Sequence, residues 1–195
     1  MDAIEAILTR RSTRNYRPDA IEQNKLDKIL DAARQAPSGG NNQTNHFLVI
    51  RNKEVIRKLT ALTADAFSLM EATENTYASL KHAITAAKKG GYVFCYNAPL
   101  LIAVANQKDY GNNMADCACA IENMMVAANA LDLGSCWINQ LRWLNEDPTL
   151  LEYLRALGMK ESERVYGAVI IGYPANGLPN RNLMPQKGNQ ITYID

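Results

Sequence analysis

Residues 112–131, NNMADCACAIENMMVAANAL, run almost directly into LGSCWINQ at 133–140, and the reading of this stretch decides the fold. Met114, Cys117, Ala118, Ile121, Met124, Met125, Ala128 and Leu131 recur at the spacing of one wide helical face. Only Asp116 and Glu122 carry charge within it. A helix this poor in charge is covered by protein on most sides, in a core or in a subunit interface. Its many alanines allow close packing. Residues 135–138 then read as a short buried strand, which ends in the polar pair Asn139 and Gln140.

Working outward, the same two periods alternate along the chain. Residues 2–9 form a short helix with Ile4, Ile7 and Leu8 on one face, and 22–35 a second helix carrying Leu26, Ile29, Leu30 and Ala33. The second stops before Pro37, because the residue ahead of a proline avoids helical geometry. Residues 46–50 read as a strand and 54–62 as a helix. Residues 100–105 are apolar without alternation, the mark of a strand covered on both faces. Asp147 and Pro148 open a further helix as N-cap and first residue. Leu150, Leu151, Leu154 and Leu157 are its inner side, and Gly158 closes it. Residues 165–171 are the last apolar strand. The tail 175–195 holds little that could make a core and is expected to run over a surface, its own or a partner's. Region 63–96 has mixed character and reads as a helical excursion. The expected class is α+β, an α/β sandwich with helices on both sides of one sheet. With no repeat, low-complexity run or Pro/Gly/Ser linker, residues 1–195 are expected to form one domain.

A net charge of +1 on 195 residues offers no global field for nucleic acid or acidic membrane, so an anion site must be local. The longest apolar run, 98–105, is far too short to span a bilayer. Residues 1–5 show no signal-peptide pattern, and the cytoplasm is the expected compartment. Cys95, Cys117, Cys119 and Cys136 lack metal-ligand spacing, with only His46 and His82 to accompany them. They read as small buried hydrophobes, and no metal is expected. There is no Gly-x-Gly-x-x-Gly, P-loop or Gly-x-Ser-x-Gly.

Four clusters could carry chemistry. Arg10, Arg11, Ser12 and Arg14 put three guanidiniums and a hydroxyl within five positions, a set that suits phosphate oxygens. Arg10 and Arg11 would equally serve as C-terminal cations of helix 2–9. Pro37, Ser38, Gly39, Gly40, Asn41, Asn42 and Gln43 combine glycines, which allow a backbone to approach a flat ligand, with neutral donors and acceptors; an ordinary turn has the same composition. The third cluster is 133–140, where Trp137 could simply pack a core. The fourth is Gly172-Tyr173-Pro174 followed by Arg181.

In their order, the Arg-Arg-Ser-x-Arg opening, the Ala-Pro-Ser-x-x-Asn-x-Gln loop, the Leu-Gly-Ser-Cys-Trp-Ile segment and the Ile-Gly-Tyr-Pro ending resemble the nitroreductase family of FMN enzymes. They span residues 10–181. The resemblance implies one central, mostly antiparallel sheet flanked by helices, and a homodimer with FMN sites at the interface and a domain-swapped C-terminal tail. It implies that Arg10, Arg11 and Ser12 hold the phosphate and ribityl chain, with Arg181 completing the phosphate site. Arg14 would reach the pyrimidine edge of the flavin. Pro37, Ser38 and Asn41, from the loop that also holds Gln43, would arrive from the partner subunit. Ile138, Asn139 and Gln140 would present a backbone N–H towards flavin N5. Arg14 and Asn139 are the residues expected to take part in catalysis. Where the family usually has Pro-Trp after the loop's glutamine, this chain has Thr44-Asn45, and 63–96 carries no family motif.

The implied activity is hydride transfer from NADH or NADPH, through FMN, to a small acceptor such as a nitroaromatic or quinone, in ping-pong order. No side-chain nucleophile is required, since the cofactor carries the electron chemistry. Two rivals share the scaffold: a flavin-fragmenting, dehalogenating or substrate-oxidising enzyme, and a non-catalytic flavin-binding protein.

Overall fold

The computed structural model describes residues 1–178, 182–185 and 187–195. The chain begins with α1 (Ala3–Thr9) and α2 (Gln23–Arg34), then passes through a single 3-10 turn at Gly39–Asn41 into strand β1 (His46–Ile50). Helices α3 (Lys53–Ser68) and α4 (Ala78–Lys89) precede β2 (Leu100–Gln107). The long helix α5 (Asn113–Ala130) leads to β3 (Gly134–Ile138), the short α6 (Gln140–Trp143), α7 (Pro148–Ala156) and β4 (Glu163–Gly172). The excursion at 63–96 therefore resolves into the second half of α3, a linker and α4.

The four strands form one sheet in the order β1-β2-β4-β3, every neighbouring pair antiparallel. Side-chain alternation divides the core in two. Leu101, Ala103, Ala105, Ala168, Ile170, Cys136 and Ile138 face one way, onto α3, α4, α6 and α7. Leu100, Ile102, Val104, Val169 and Ile171 face the other, onto α2 and α5. That double cover is why β2 and β4 are apolar without alternation. Asp147 caps α7 by accepting from the Leu150 N–H at 2.9 Å, with Pro148 at the first helical position.

Ile4, Ile7 and Leu8 share one face of α1, and in the single chain that face is exposed while Ala6 and Thr9 are buried. On the buried side, Asn129 Nδ2 of α5 donates to Ala6 O at 2.9 Å and to Thr9 Oγ1 at 3.0 Å. One expectation is corrected: Cys119 is exposed, unlike Cys95, Cys117 and Cys136. It lies on the solvent side of α5 with Ala115 and Glu122, and Met114, in the first turn, is exposed too.

Candidate functional site

After α1 the chain becomes extended and lies against the sheet. Ser12 bridges Ser135 in parallel fashion, and Thr13 N–H donates to Ser135 O at 2.9 Å. This contact requires a glycine at 134, because a Cβ there would stand 2.5 Å from Thr13 Oγ1. Farther on, Tyr16 bridges Pro174, and Ala175 N–H donates to Asn15 O at 3.0 Å. Buried Tyr16 donates its hydroxyl to Thr13 O at 2.6 Å, and burial pushes its phenol far above the ordinary value. Residues 12–16 are thus held at both ends, and the side chains of Ser12 and Arg14 face outward.

They face a cleft of about 410 Å³, lined also by Ser79, Tyr96, Cys136, Trp137, Ile138, Asn139, Gln140 and Trp143. A volume of that order suits a small-molecule site. Ser12 and Arg14 also line an adjoining cleft of about 360 Å³, with Asn15, Pro174, Asn176 and Leu178. Neither lining contains a carboxylate. Arg14 is exposed and, among the described residues, takes part in no ion pair or hydrogen bond.

The floor of the cleft is tied together by side-chain hydrogen bonds. Trp137 Nε1 donates to Asn139 Oδ1 at 2.9 Å, which fixes the first residue after β3. Gln140 Nε2 donates to the Tyr92 hydroxyl at 2.8 Å, while Gln140 Oε1 is buried without a partner among the described residues. A buried acceptor left empty costs about 1–3 kcal/mol, so a donor from a bound molecule would relieve it. The Cys136 thiol is raised by burial, more than Arg14 lowers it, and stays neutral rather than acting as a thiolate.

The other predicted residues fall in different places. Arg10 is the C-cap of α1, with its Nε 3.5 Å from Glu122 Oε1. Arg11 donates to Leu8 O at 3.1 Å, to Arg10 O at 2.8 Å and to Asn182 O, so it serves the last carbonyls of α1. Pro37, Ser38, Asn41 and Gln43 precede β1, at the opposite edge of the sheet from β3. Three strand spacings, roughly 14 Å, separate those edges. Ser38 Oγ accepts from Gln43 N–H at 3.0 Å, and Gln43 Nε2 donates to Asn41 Oδ1 at 3.0 Å. Arg181 lies outside the described residues.

Sequence reasoning missed Ser79, Tyr92, Tyr96 and Trp143. Tyr96 enters the cleft from two successive left-handed residues, Tyr96 and Asn97, at φ 50° and 56°. Nothing in the local composition announces that geometry at a tyrosine.

The sequence profile of the nitroreductase family matches residues 7–173. The chain belongs to the nitroreductase family. A nitroreductase from Bacteroides fragilis, whose crystal structure holds bound FMN, is 35% identical, with a TM-score of 0.84 over 100% of both chains. A nitroreductase from Desulfitobacterium hafniense, also crystallised with FMN, is 23% identical and supports the fold alone, at a TM-score of 0.79 over 100% of both chains. An Archaeoglobus fulgidus protein, provisionally named NADH dehydrogenase/NAD(P)H nitroreductase, is 31% identical over 89% of this chain and 86% of its own length. The nitroreductase fold accounts for the antiparallel sheet with helices on both faces. Among the described residues no helix is long and apolar enough to cross a membrane, and no three His, Cys, Asp or Glu side chains converge on a metal-sized site.

Proposed function

We propose that this nitroreductase-family chain is an FMN-dependent oxidoreductase that takes a hydride from NADH or NADPH and passes it to a small acceptor such as a nitroaromatic or quinone. The observation that carries the reading is the carboxylate-free cleft in which Arg14, unpaired among the described residues, meets the polar end of β3. Its residues fit the cofactor. The buried, partnerless Gln140 Oε1 awaits a donor, and an exposed guanidinium awaits negative charge. FMN, when bound, supplies the two-electron chemistry.

The roles proposed for Arg14, Ser12 and residues 138–140 follow from their places in the cleft, and those of Arg10, Arg11 and Arg181 from the family resemblance alone. Arg14 lies where a cation would stabilise negative charge on a ring held in the cleft. The 138–140 backbone, fixed by the Trp137–Asn139 bond, would orient a donor towards that ring. Ser12 and Arg10, with Arg181, would hold the phosphate. Arg11 would join them only by exchanging the α1 carbonyls for phosphate oxygens.

The proposal includes a homodimer of single-domain chains, each spanning 1–195. Pro37, Ser38, Asn41 and Gln43 do not line the cleft of their own chain, and a second copy would supply them. The exposed apolar residues support this: Ile4, Ile7 and Leu8 on α1, Met114 on α5, and Leu183, Met184, Ile191, Tyr193 and Ile194 in the tail. A tail exchanged between subunits would bury much of that surface. With one cleft for both substrates, the nicotinamide would leave before the acceptor enters.

The deciding experiment is the visible spectrum of the purified protein before and after NADH or NADPH. A flavin spectrum bleached by either nucleotide and restored by a nitroaromatic or quinone is expected. A protein that takes up no FMN overturns the proposal, and a bound flavin that neither nucleotide bleaches makes it a binding protein instead.

A further inference from the structure

The loop that carries Ser38 and Asn41 takes a left-handed path that Gly40 and Asn41 tolerate and that is unfavourable for Gln43. Gly40, Asn41 and Gln43 lie at φ 59°, 54° and 52°. Left-handed geometry costs a residue with a side chain roughly 1–2 kcal/mol, and such strain persists only where neighbours over-determine it. The neighbours are specific. Gly39 N–H donates to both carboxylate oxygens of Asp116, at 3.1 and 3.3 Å. The Tyr110 hydroxyl donates to Gly39 O at 3.0 Å. One peptide residue is therefore gripped by its donor and its acceptor together. The grip is also steric, since a Cβ on Gly39 would stand 2.0 Å from Asn112 Nδ2 and 2.6 Å from the Tyr110 oxygen.

Behind the grip is a buried polar chain. Asp116 is 4% exposed, in the first turn of α5, where the helix dipole favours a carboxylate. Asn45 Nδ2 donates to Asp116 O at 3.0 Å. Asn45 Oδ1 in turn accepts from Asn106 Nδ2 at 2.9 Å and from the Cys117 thiol at 3.3 Å. Burial pushes that thiol up to about 12, so it remains a donor. Asn45 occupies one of the two positions at which this chain departs from the family's usual Pro-Trp.

We infer that Asp116 and Tyr110 are positioning residues for FMN, which they do not touch: they fix the Gly39 peptide so that the 37–43 loop is preorganised to complete the cleft of the other subunit. The inference rests on the flavoprotein-dimer reading above. A preorganised loop spares the ordering cost at binding, so loosening it lowers affinity without removing any contact to the ligand.

The test is FMN titration of the apoprotein for wild type, Tyr110→Phe and Asp116→Asn, with the bound-flavin absorption spectrum, the apoprotein melting temperature and sedimentation recorded for each. Loss of one such hydrogen bond should raise the Kd for FMN about three- to tenfold. The bound spectrum should also shift, with a wild-type sedimentation coefficient. Tyr110→Phe deletes only a half-buried hydroxyl and should leave the apoprotein melting temperature close to wild type, so it keeps the test open if Asp116→Asn folds poorly. Wild-type Kd and spectrum in both variants would overturn the inference, even with a lowered melting temperature, because a purely structural clamp gives that result. A Kd that rises only in step with dimer loss would overturn it too. If the wild type takes up no FMN, the flavoprotein reading itself fails, and this inference fails with it.

Discussion

Arg14 differs from the other arginines of its cluster in having no partner among the described residues. Arg10 sits beside Glu122, and Arg11 is spent on α1 carbonyls. The two-ended anchoring of residues 12–16 fixes the backbone from which the Arg14 guanidinium reaches, and that guanidinium has no existing bond to give up when charge develops beside it. Arg14→Ala is therefore expected to slow flavin reduction by NADH or NADPH about a hundredfold or more and to lower the flavin's reduction potential. Stopped-flow bleaching reads the first, and an equilibrium dye titration the second. Wild-type values in both would make Arg14 structural. At the same scale, Gly134→Ala would press a methyl into Thr13. Such overpacking typically costs about 1–3 kcal/mol. The expected result is a lower urea midpoint together with weaker FMN binding, because the segment displaced is the one carrying Ser12 and Arg14.

The strands show how far a sequence reaches at the level of elements. The strand at 46–50 and the apolar run from 100 are legible because apolar residues confined to five to eight positions between polar or turn residues have few other readings. The side on which a helix packs is less legible. Ile4, Ile7 and Leu8 share a face by periodicity, but in the single chain it is Ala6 and Thr9 that turn inward, where Asn129, 120 residues or more away, bonds to them. Asp116 reads only as one of two charges in a charge-poor helix, and its grip on Gly39 exists only once α5 and the loop before β1 are brought together. Glu163, at the start of β4, has no part in the sequence reading, which begins the strand at 165. It is 3% exposed, accepts from Lys160 N–H at 2.9 Å and lies 2.7 Å from His46 Nδ1, tying the first residue of β1 to β4. Burial opposes its ionisation, but the His46 ring and the Lys160 amide outweigh burial and hold the carboxyl below the usual value of 4.5. A carboxyl depressed in the folded state contributes stability that is present above its unfolded pKa and lost as pH falls through the folded one. Urea midpoints of the wild type should therefore fall as pH drops from 5 through the region below 4.5. Glu163→Gln should show a flatter profile there and a loss of about 1–3 kcal/mol at pH 7. Parallel profiles for the two proteins would refute the assignment.

At the scale of the whole molecule, the chain has the sheet and both cores of a nitroreductase but leaves apolar surface uncovered. Ile4 is 66% exposed, Leu183 67% and Ile194 93%. Single exposed apolar residues are ordinary, but a helix face and a tail that both present them ask for a cover. The cleft makes a separate demand, because the loop that would complete it sits at the far edge of the sheet. One isologous dimer answers both, since each copy then offers the other its loop and its apolar face. The expected species is a dimer whose assembly and FMN binding are coupled. Substituting Ile7 by Lys, at a position 53% exposed in the single chain, tests this directly. On a monomer, a lysine there replaces solvent-facing apolar surface and should change stability by no more than about 0.5 kcal/mol. In a dimer it would bury an unpaired ammonium, at a cost large enough to dissociate the subunits. Sedimentation velocity at micromolar concentration should then show monomer, with a wild-type far-ultraviolet spectrum and FMN lost from the protein. An Ile7→Lys protein that remains dimeric would place the interface away from α1. A monomer that still binds FMN with wild-type affinity would mean that one chain completes the cleft by itself, and the 37–43 loop would revert to an ordinary turn.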